Sequence, residues 1–239
     1  MVKKLFFILI SIFLLSSFVV ATSFANQIFF DDFQDGTADG WTPYPTSYAS
    51  RWNTIDDGSG NIVYWADGRP GQDRFALNDF IPSTSNYRVS ADVKIVRGES
   101  GSHHGVFGHA SGVNDGYGFG IYDGDAWGTD DFIILFKLEA GVSTVIESSF
   151  YDDKLNDHQW YNIGMEFLGD TITCYIDDTR VLSVSGYSSL GNQFGVLTWG
   201  GGTYFDDVTV SPVPEPATIL LVGVGLVGIA GARRKLKKK

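Results

Sequence analysis

The chain has 239 residues, with 28 Asp and Glu against 17 Lys and Arg, four His and a single Cys. So acidic a balance leaves too few cations to build a nucleic-acid groove, and one cysteine excludes an intramolecular disulfide, so stability has to come from a hydrophobic core. Residues 26–211 taken alone carry nine Lys and Arg against 27 Asp and Glu, a formal charge of −18, which suits solubility, divalent cations or neutral glycans.

At the N-terminus, Lys3 and Lys4 precede an apolar run from Leu5 to Leu15 that continues through Phe18, Val19 and Val20, and Ser23-Phe24-Ala25 supplies small residues at the cleavage positions. This predicts a signal peptide over residues 1–25, with the mature chain starting near Asn26 once signal peptidase has acted. Without cleavage the same run is long enough to serve as a membrane anchor.

The body, residues 26–211, reads as strands throughout. Tyr87 to Ile95 alternates apolar and polar residues, the pattern of a strand with one wet face, and Gln159 to Leu168 repeats it. Phe132 to Leu138 is apolar on both parities and predicts a central strand covered on both faces. Turns are predicted at Asp56 to Asn61, Gly68 to Gly71, Gly124-Asp125 and Gly191-Asn192. Cys174 shares its parity with Ile172 and Ile176, which predicts a buried, inert thiol. His103 and His109 on a continuous strand would stand about 20 Å apart, too far to share an ion, and His104 would face the other way. Many short strands without crossover helices predict an all-β, antiparallel two-sheet sandwich.

Tryptophans in this body divide by context. Trp52, Trp65 and Trp160 sit inside strand-like runs and are expected in the core. Trp127, within the acidic loop Asp123 to Asp131, Trp199 beside Gly200-Gly201-Gly202, and Trp41 with Tyr44 and Tyr48 are candidates for stacking on a sugar, because the apolar face of a pyranose packs on an aromatic ring. Core packing is the competing reading for each.

The C-terminal segment, residues 212–239, combines Pro214-Glu215-Pro216, an uncharged run from Thr218 to Ala232, and a basic stop, Arg233-Arg234-Lys235, followed by three further lysines. At ~1.5 Å per residue the segment from Ala217 to Ala232 spans roughly 24 Å as a helix, so its cationic flank would snorkel on the cytoplasmic side and leave the body outside the membrane. Gly223 to Gly228 spells G-x-G-x-x-G, but no βαβ unit surrounds it, and a dinucleotide turn is rejected.

These three parts together resemble the PEP-CTERM sorting signal of Gram-negative bacteria. The resemblance implies recognition by an exosortase, passage through an inner-membrane intermediate held by a C-terminal transmembrane helix, and delivery to the envelope surface or extracellular matrix. The body resembles a concanavalin A-like, laminin-G-like jelly roll. The features that carry this likeness are Phe30-Asp31-Asp32-Phe33 with Gly40-Trp41, the hairpin from Trp52 to Trp65, the strand Val89 to Val96, the pair His158 to Tyr161 and Thr171 to Val184, and the closing Tyr204 to Val210.

That second resemblance implies a structural calcium ion near the first and last strands, where Asp31, Asp32, Asp206 and Asp207 stand; solvated edge carboxylates are the other reading. It also brings in laminarinase-type glycanases, which place two glutamates a few residues apart on one strand. Here the body has only Glu99, Glu139, Glu147 and Glu166, in no such spacing. The expectation is a non-catalytic, exported surface or matrix protein whose partner is an exopolysaccharide. The alternatives are a divergent glycan hydrolase or lyase of the same fold, or a structural filler without ligand.

Overall fold

The computed structural model describes residues 27–68, 73–97, 102–122, 131–151, 155–156 and 158–213. The expected signal peptide, residues 123–130 with Trp127, Glu99, and the sorting motif with the apolar run expected to form a transmembrane helix all lie outside the described residues.

Within them the chain forms an antiparallel two-sheet sandwich. One sheet contains β1 (Phe29–Asp31), β3 (Trp52–Asp56), β4 (Ile62–Asp67), β6 (Tyr87–Arg97), β11 (Trp160–Leu168), β12 (Thr171–Ile176), β13 (Thr179–Ser185) and β15 (Gly202–Pro212). It is ordered β13-β12-β11-β6-β15-β4-β3, with β1 pairing the second half of β15. We call this sheet A. Sheet B is ordered β10-β9-β8-β7-β14-β5-β2. Its strands are β2 (Trp41–Tyr44), β5 (Asp73–Asn78), β7 (His103–Gly112), β8 (Asp115–Tyr122), β9 (Phe132–Glu139), β10 (Val142–Phe150) and β14 (Gln193–Trp199). A single 3-10 turn, Thr46–Arg51, links β2 to β3.

Period-two alternation decides which side chains enter the core. On sheet A, Val89, Ala91 and Val93 of β6 and Ile163, Met165 and Phe167 of β11 are fully buried. They meet Val106, Tyr117, Phe119, Leu135 and Val196 from sheet B in one cluster. Aromatic packing closes one end, where Phe33 stacks on Tyr64 with centroids 5.2 Å apart and Trp52 stacks on Phe205 at 6.0 Å. Cys174 is buried in this core, and burial pushes its thiol pKa up, so it is not a reactive nucleophile.

Two features depart from the sequence-based expectations. A bulge between Gly108 and Gly112 of β7 breaks the alternation. As a result His109 (φ 48°) turns into the core and stacks on Phe167 at 3.8 Å, instead of sharing a face with His103. Trp65 and Trp160, expected in the core, are only half-buried and stand on the outer face of sheet A. Each has its apolar run continued by the neighbour of opposite parity, Tyr64 and Tyr161, and those neighbours take the buried places.

Candidate functional site

A second apolar cluster lies on the other face of sheet B. Phe75, Leu77, Phe107, Phe136 and Leu197 each have a strand neighbour in the main core and therefore point outward, and Leu138 shares the parity of Phe136. Strand β8 makes this face flat. Its sequence Asp115-Gly-Tyr-Gly-Phe-Gly-Ile-Tyr122 puts Tyr117, Phe119 and Ile121 into the core and glycines outward. A Cβ at Gly118 would lie 2.2 Å from the Phe136 ring, and one at Gly116 would lie 2.5 Å from the Phe107 ring. Only hydrogen at these positions lets both rings lie down over β8.

Over this floor opens a cavity of about 410 Å³, within the usual range for small-molecule sites. Tyr44, Pro45 and Thr46 form one wall, Val113, Asn114 and Gly141 the other, and Phe75 and Leu138 the base. Tyr44 pairs with Phe75 across β2 and β5 and is partly exposed. Trp199 stands on the same face two residues beyond Leu197, where its ring stacks on His103 with centroids 5.2 Å apart and planes 19° from parallel. Burial lowers the His103 pKa to about 4, so at neutral pH it presents an uncharged ring. Two of the residues singled out from the sequence, Tyr44 and Trp199, thus share one face.

Trp41 does not join them. It is buried in the main core, and its indole N–H donates to Asp31 Oδ2 at 2.7 Å, so it has no face to offer a sugar. Tyr48 is covered by the Arg74 guanidinium, 4.7 Å from its ring centre. Trp127 lies outside the described residues.

At the acidic edge the carboxylates have partners within the protein. β1 and β15 are neighbours, with Asp31 opposite Val208. Yet Asp31 already accepts from Trp41 and from the Phe33 amide (3.0 Å), and Asp206 accepts from Asn61 Nδ2 (2.7 Å) and the Asp207 amide (2.9 Å). Burial first, then like charge from Asp92 and Asp32, pushes the Asp206 pKa up; burial and then Asp206 do the same to Asp207. Among the described residues, no three His, Cys, Asp or Glu side chains converge as a metal cage. Asp31 and Asp206 are thus each tied to protein donors at this edge.

The remaining polar candidates have structural partners. His104 is buried, with Nδ1 2.5 Å from Thr203 Oγ1 and 3.0 Å from Thr198 Oγ1, and burial lowers its pKa to about 3. Of the glutamates, Glu139 pairs with Lys137 at 2.9 Å, Glu147 is exposed on β10, and Glu166 lies on the outer face of sheet A.

Residues 212–235 match the PEP-CTERM protein-sorting motif. The chain therefore ends in a PEP-CTERM sorting signal, which implies processing by exosortase and an exported, surface-sorted protein. A curated relative, levanase of Bacillus subtilis (strain 168), is 26% identical over 171 residues, covering 71% of this chain but only 24% of the levanase. The carbohydrate-binding module CBM66 from Bacillus subtilis superposes with a TM-score of 0.56 at 22% identity, over 72% of this chain and 95% of the module. A glycoside hydrolase family 16 endo-glucanase from Bacteroides ovatus gives the same TM-score at 13% identity, over 76% and 99% of the two chains. The body is thus a PEP-CTERM-sorted sandwich of the kind shared by carbohydrate-binding modules and family 16 hydrolases, and the fold does not divide the two.

Proposed function

We propose that this is a non-catalytic surface or matrix protein that holds a neutral polysaccharide against the outer face of sheet B. The observation that supports this most directly is the composition of that face. The outward positions of β7, β8, β9 and β14 include His103, Phe107, Tyr122, Phe132, Ile134, Phe136, Leu138, Gln193, Leu197, Trp199 and glycines, with no carboxylate among the outward positions of these four strands. Glycosidases work with a pair of carboxyl groups flanking the scissile bond, and an apolar floor bordered by Tyr44, Asn114 and Trp199 offers stacking and hydrogen bonds instead. The likeness to levanase and to CBM66 points to the same substrate class.

The test is affinity electrophoresis of the purified full chain in gels containing levan or mixed-linkage glucan. Retardation that weakens in Tyr44→Ala and Trp199→Ala, with no shorter sugars after prolonged incubation, is the expected result. Release of shorter products would move the protein to the hydrolases or lyases of this fold. Unchanged retardation in both variants would remove this face from the reading.

A further inference from the structure

The outer face of sheet A holds a continuous line of chemistry that the site above does not use. Register sets Trp160 of β11 beside Lys94 of β6, Lys94 beside Tyr204 of β15, and Tyr204 beside Trp65 of β4. All four are half-buried. Trp65 and Tyr204 are 5.2 Å apart edge to face, and Trp160 and Tyr204 are 6.5 Å apart. Lys94 Nζ sits 4.7 Å from the Trp160 ring centre and 5.2 Å from that of Tyr204, holding the two rings around one cation. Trp65 has its place because Gly202 lacks a side chain: a Cβ there would be 2.4 Å from the indole.

Along the same outward parity of β6 and β11, the aromatic row runs into polar groups. Asn162 donates to Asp92 at 2.7 Å, and beyond it a cavity of about 430 Å³ is lined by Arg88, Ser90, Asn162, Glu166, Asp178 and Ser211. Arg88 crosses Gly164, where a Cβ would come within 3.0 Å of its guanidinium, and lies 4.4 Å over the Tyr175 ring. From Trp160 to Glu166 the line is about 20 Å long, so it matches an extended polymer rather than a single sugar.

We infer that this line is a second binding track, separate from the sheet B groove, and that its ligand is a neutral polysaccharide chain. Rings take the apolar faces of sugar residues at one end, and amide, hydroxyl and carboxylate groups take their hydroxyls at the other. Charge decides against an anionic polymer. Both cations on the track are already neutralised, Lys94 by Asp57 at 3.1 Å and Arg88 by Asp178 at 2.7 Å, and the body around them carries a formal −18.

The experiment uses the purified full chain carrying Tyr44→Ala, so that the sheet B groove is weakened, in gels containing levan, mixed-linkage glucan, xylan or, as the polyanion, alginate. Residual retardation by at least one neutral polymer is expected, none by alginate, and the apparent affinity should fall about tenfold or more on adding Trp160→Ala. Trp160→Phe should retain most of it. Glu166→Ala, a surface change remote from the core, should also weaken it and serves if Trp160→Ala fails to fold. Retardation insensitive to both Trp160→Ala and Glu166→Ala, equal retardation by alginate, or no retardation by any neutral polymer overturns the proposal.

Discussion

Asp207 shows how much the fold adds to the reading of a single residue. From the sequence it is one of four aspartates at a sheet edge where the fold resemblance implies calcium. In the fold it occupies a left-handed backbone position (φ 45°) at a bulge of β15, beside Asp206 and near Asp92 and Asp32. Its raised pKa means that the charged form is disfavoured in the folded state. The sign follows: the penalty is absent below the unfolded value near 4, grows as pH rises through the raised folded value, and is fully present at neutral pH. Asn tolerates the left-handed region well. Asp207→Asn is therefore expected to raise stability at pH 7 in EDTA by a few tenths of a kcal/mol, a small value because the side chain is largely exposed and screened. Thermal melts with EDTA and with calcium check this. A variant that melts lower than wild type only when calcium is present would show that the carboxylate ligates a cation after all. Which candidate aromatics face outward is legible in the sequence only in part, for a related reason. Proximity to turns picks out Tyr44 and Trp199, which stand on the outer face of sheet B, but Trp41 meets the same description and is core, because what distinguishes it is Asp31 ten residues away accepting from its indole.

At the level of elements, alternation picks out β6 and β11, whose buried parity is uninterrupted, whereas β9 is legible as a continuous apolar run and the β3-β4 hairpin by its Asp56 to Asn61 turn. It failed where both parities are apolar. In β4, Val63, Tyr64, Trp65 and Ala66 are consecutive, and only the pairing with β15 shows that Trp65 faces out. The glycines of β8 remove the alternating side chains that mark a strand in the sequence, and their role is to admit rings from β7 and β9. The hairpin loop between β3 and β4 has its own chemical brace. The Ser59 hydroxyl (2.6 Å) and amide (3.0 Å) donate to Asp57 Oδ1, Lys94 reaches Oδ2, and Ser59 first, then Lys94, hold the Asp57 pKa down at about 2. For a carboxylate with a depressed folded pKa, the stabilisation is present above about 4 and is lost as pH falls from there to about 2. Because Lys94 is what gathers Trp160 and Tyr204, that window should also show a change in tryptophan emission. The expected observation is a reversible fluorescence step between pH 4 and pH 2 in the wild type that is reduced or missing in Asp57→Asn. An unchanged step in the variant would detach the brace from the aromatic row.

For the whole molecule, the two faces and the tail make one arrangement. Strand β15 ends at Pro212, and Ser211, Pro212 and Val213 border the sheet A cavity, so the sorting segment leaves the sandwich at the polar end of the proposed track. The other termination of that track, at Trp65, Tyr204 and Trp160, lies at the opposite end of the strands. A sandwich tethered or released at Val213 therefore keeps its aromatic end, and the Trp199 end of sheet B, directed away from the point of attachment. This separation of sorting from binding predicts that the two can be broken independently. A chain ending at Val213 should still be exported but should not be sorted to the surface, appearing as soluble protein in the periplasm or medium. Changing Pro214, Glu215 and Pro216 to alanine while keeping the following apolar run should instead leave an unprocessed form in the inner-membrane fraction, because the membrane segment remains and the motif does not. Fractionation with immunoblotting distinguishes the two, and intact mass of the surface form reports whether the segment after Val213 has been removed. Both variants, once purified, should be retarded by neutral polysaccharide as strongly as the wild type, since no residue of either proposed surface has changed. Loss of that retardation in the truncated chain would mean that the tail itself helps to form the binding surface.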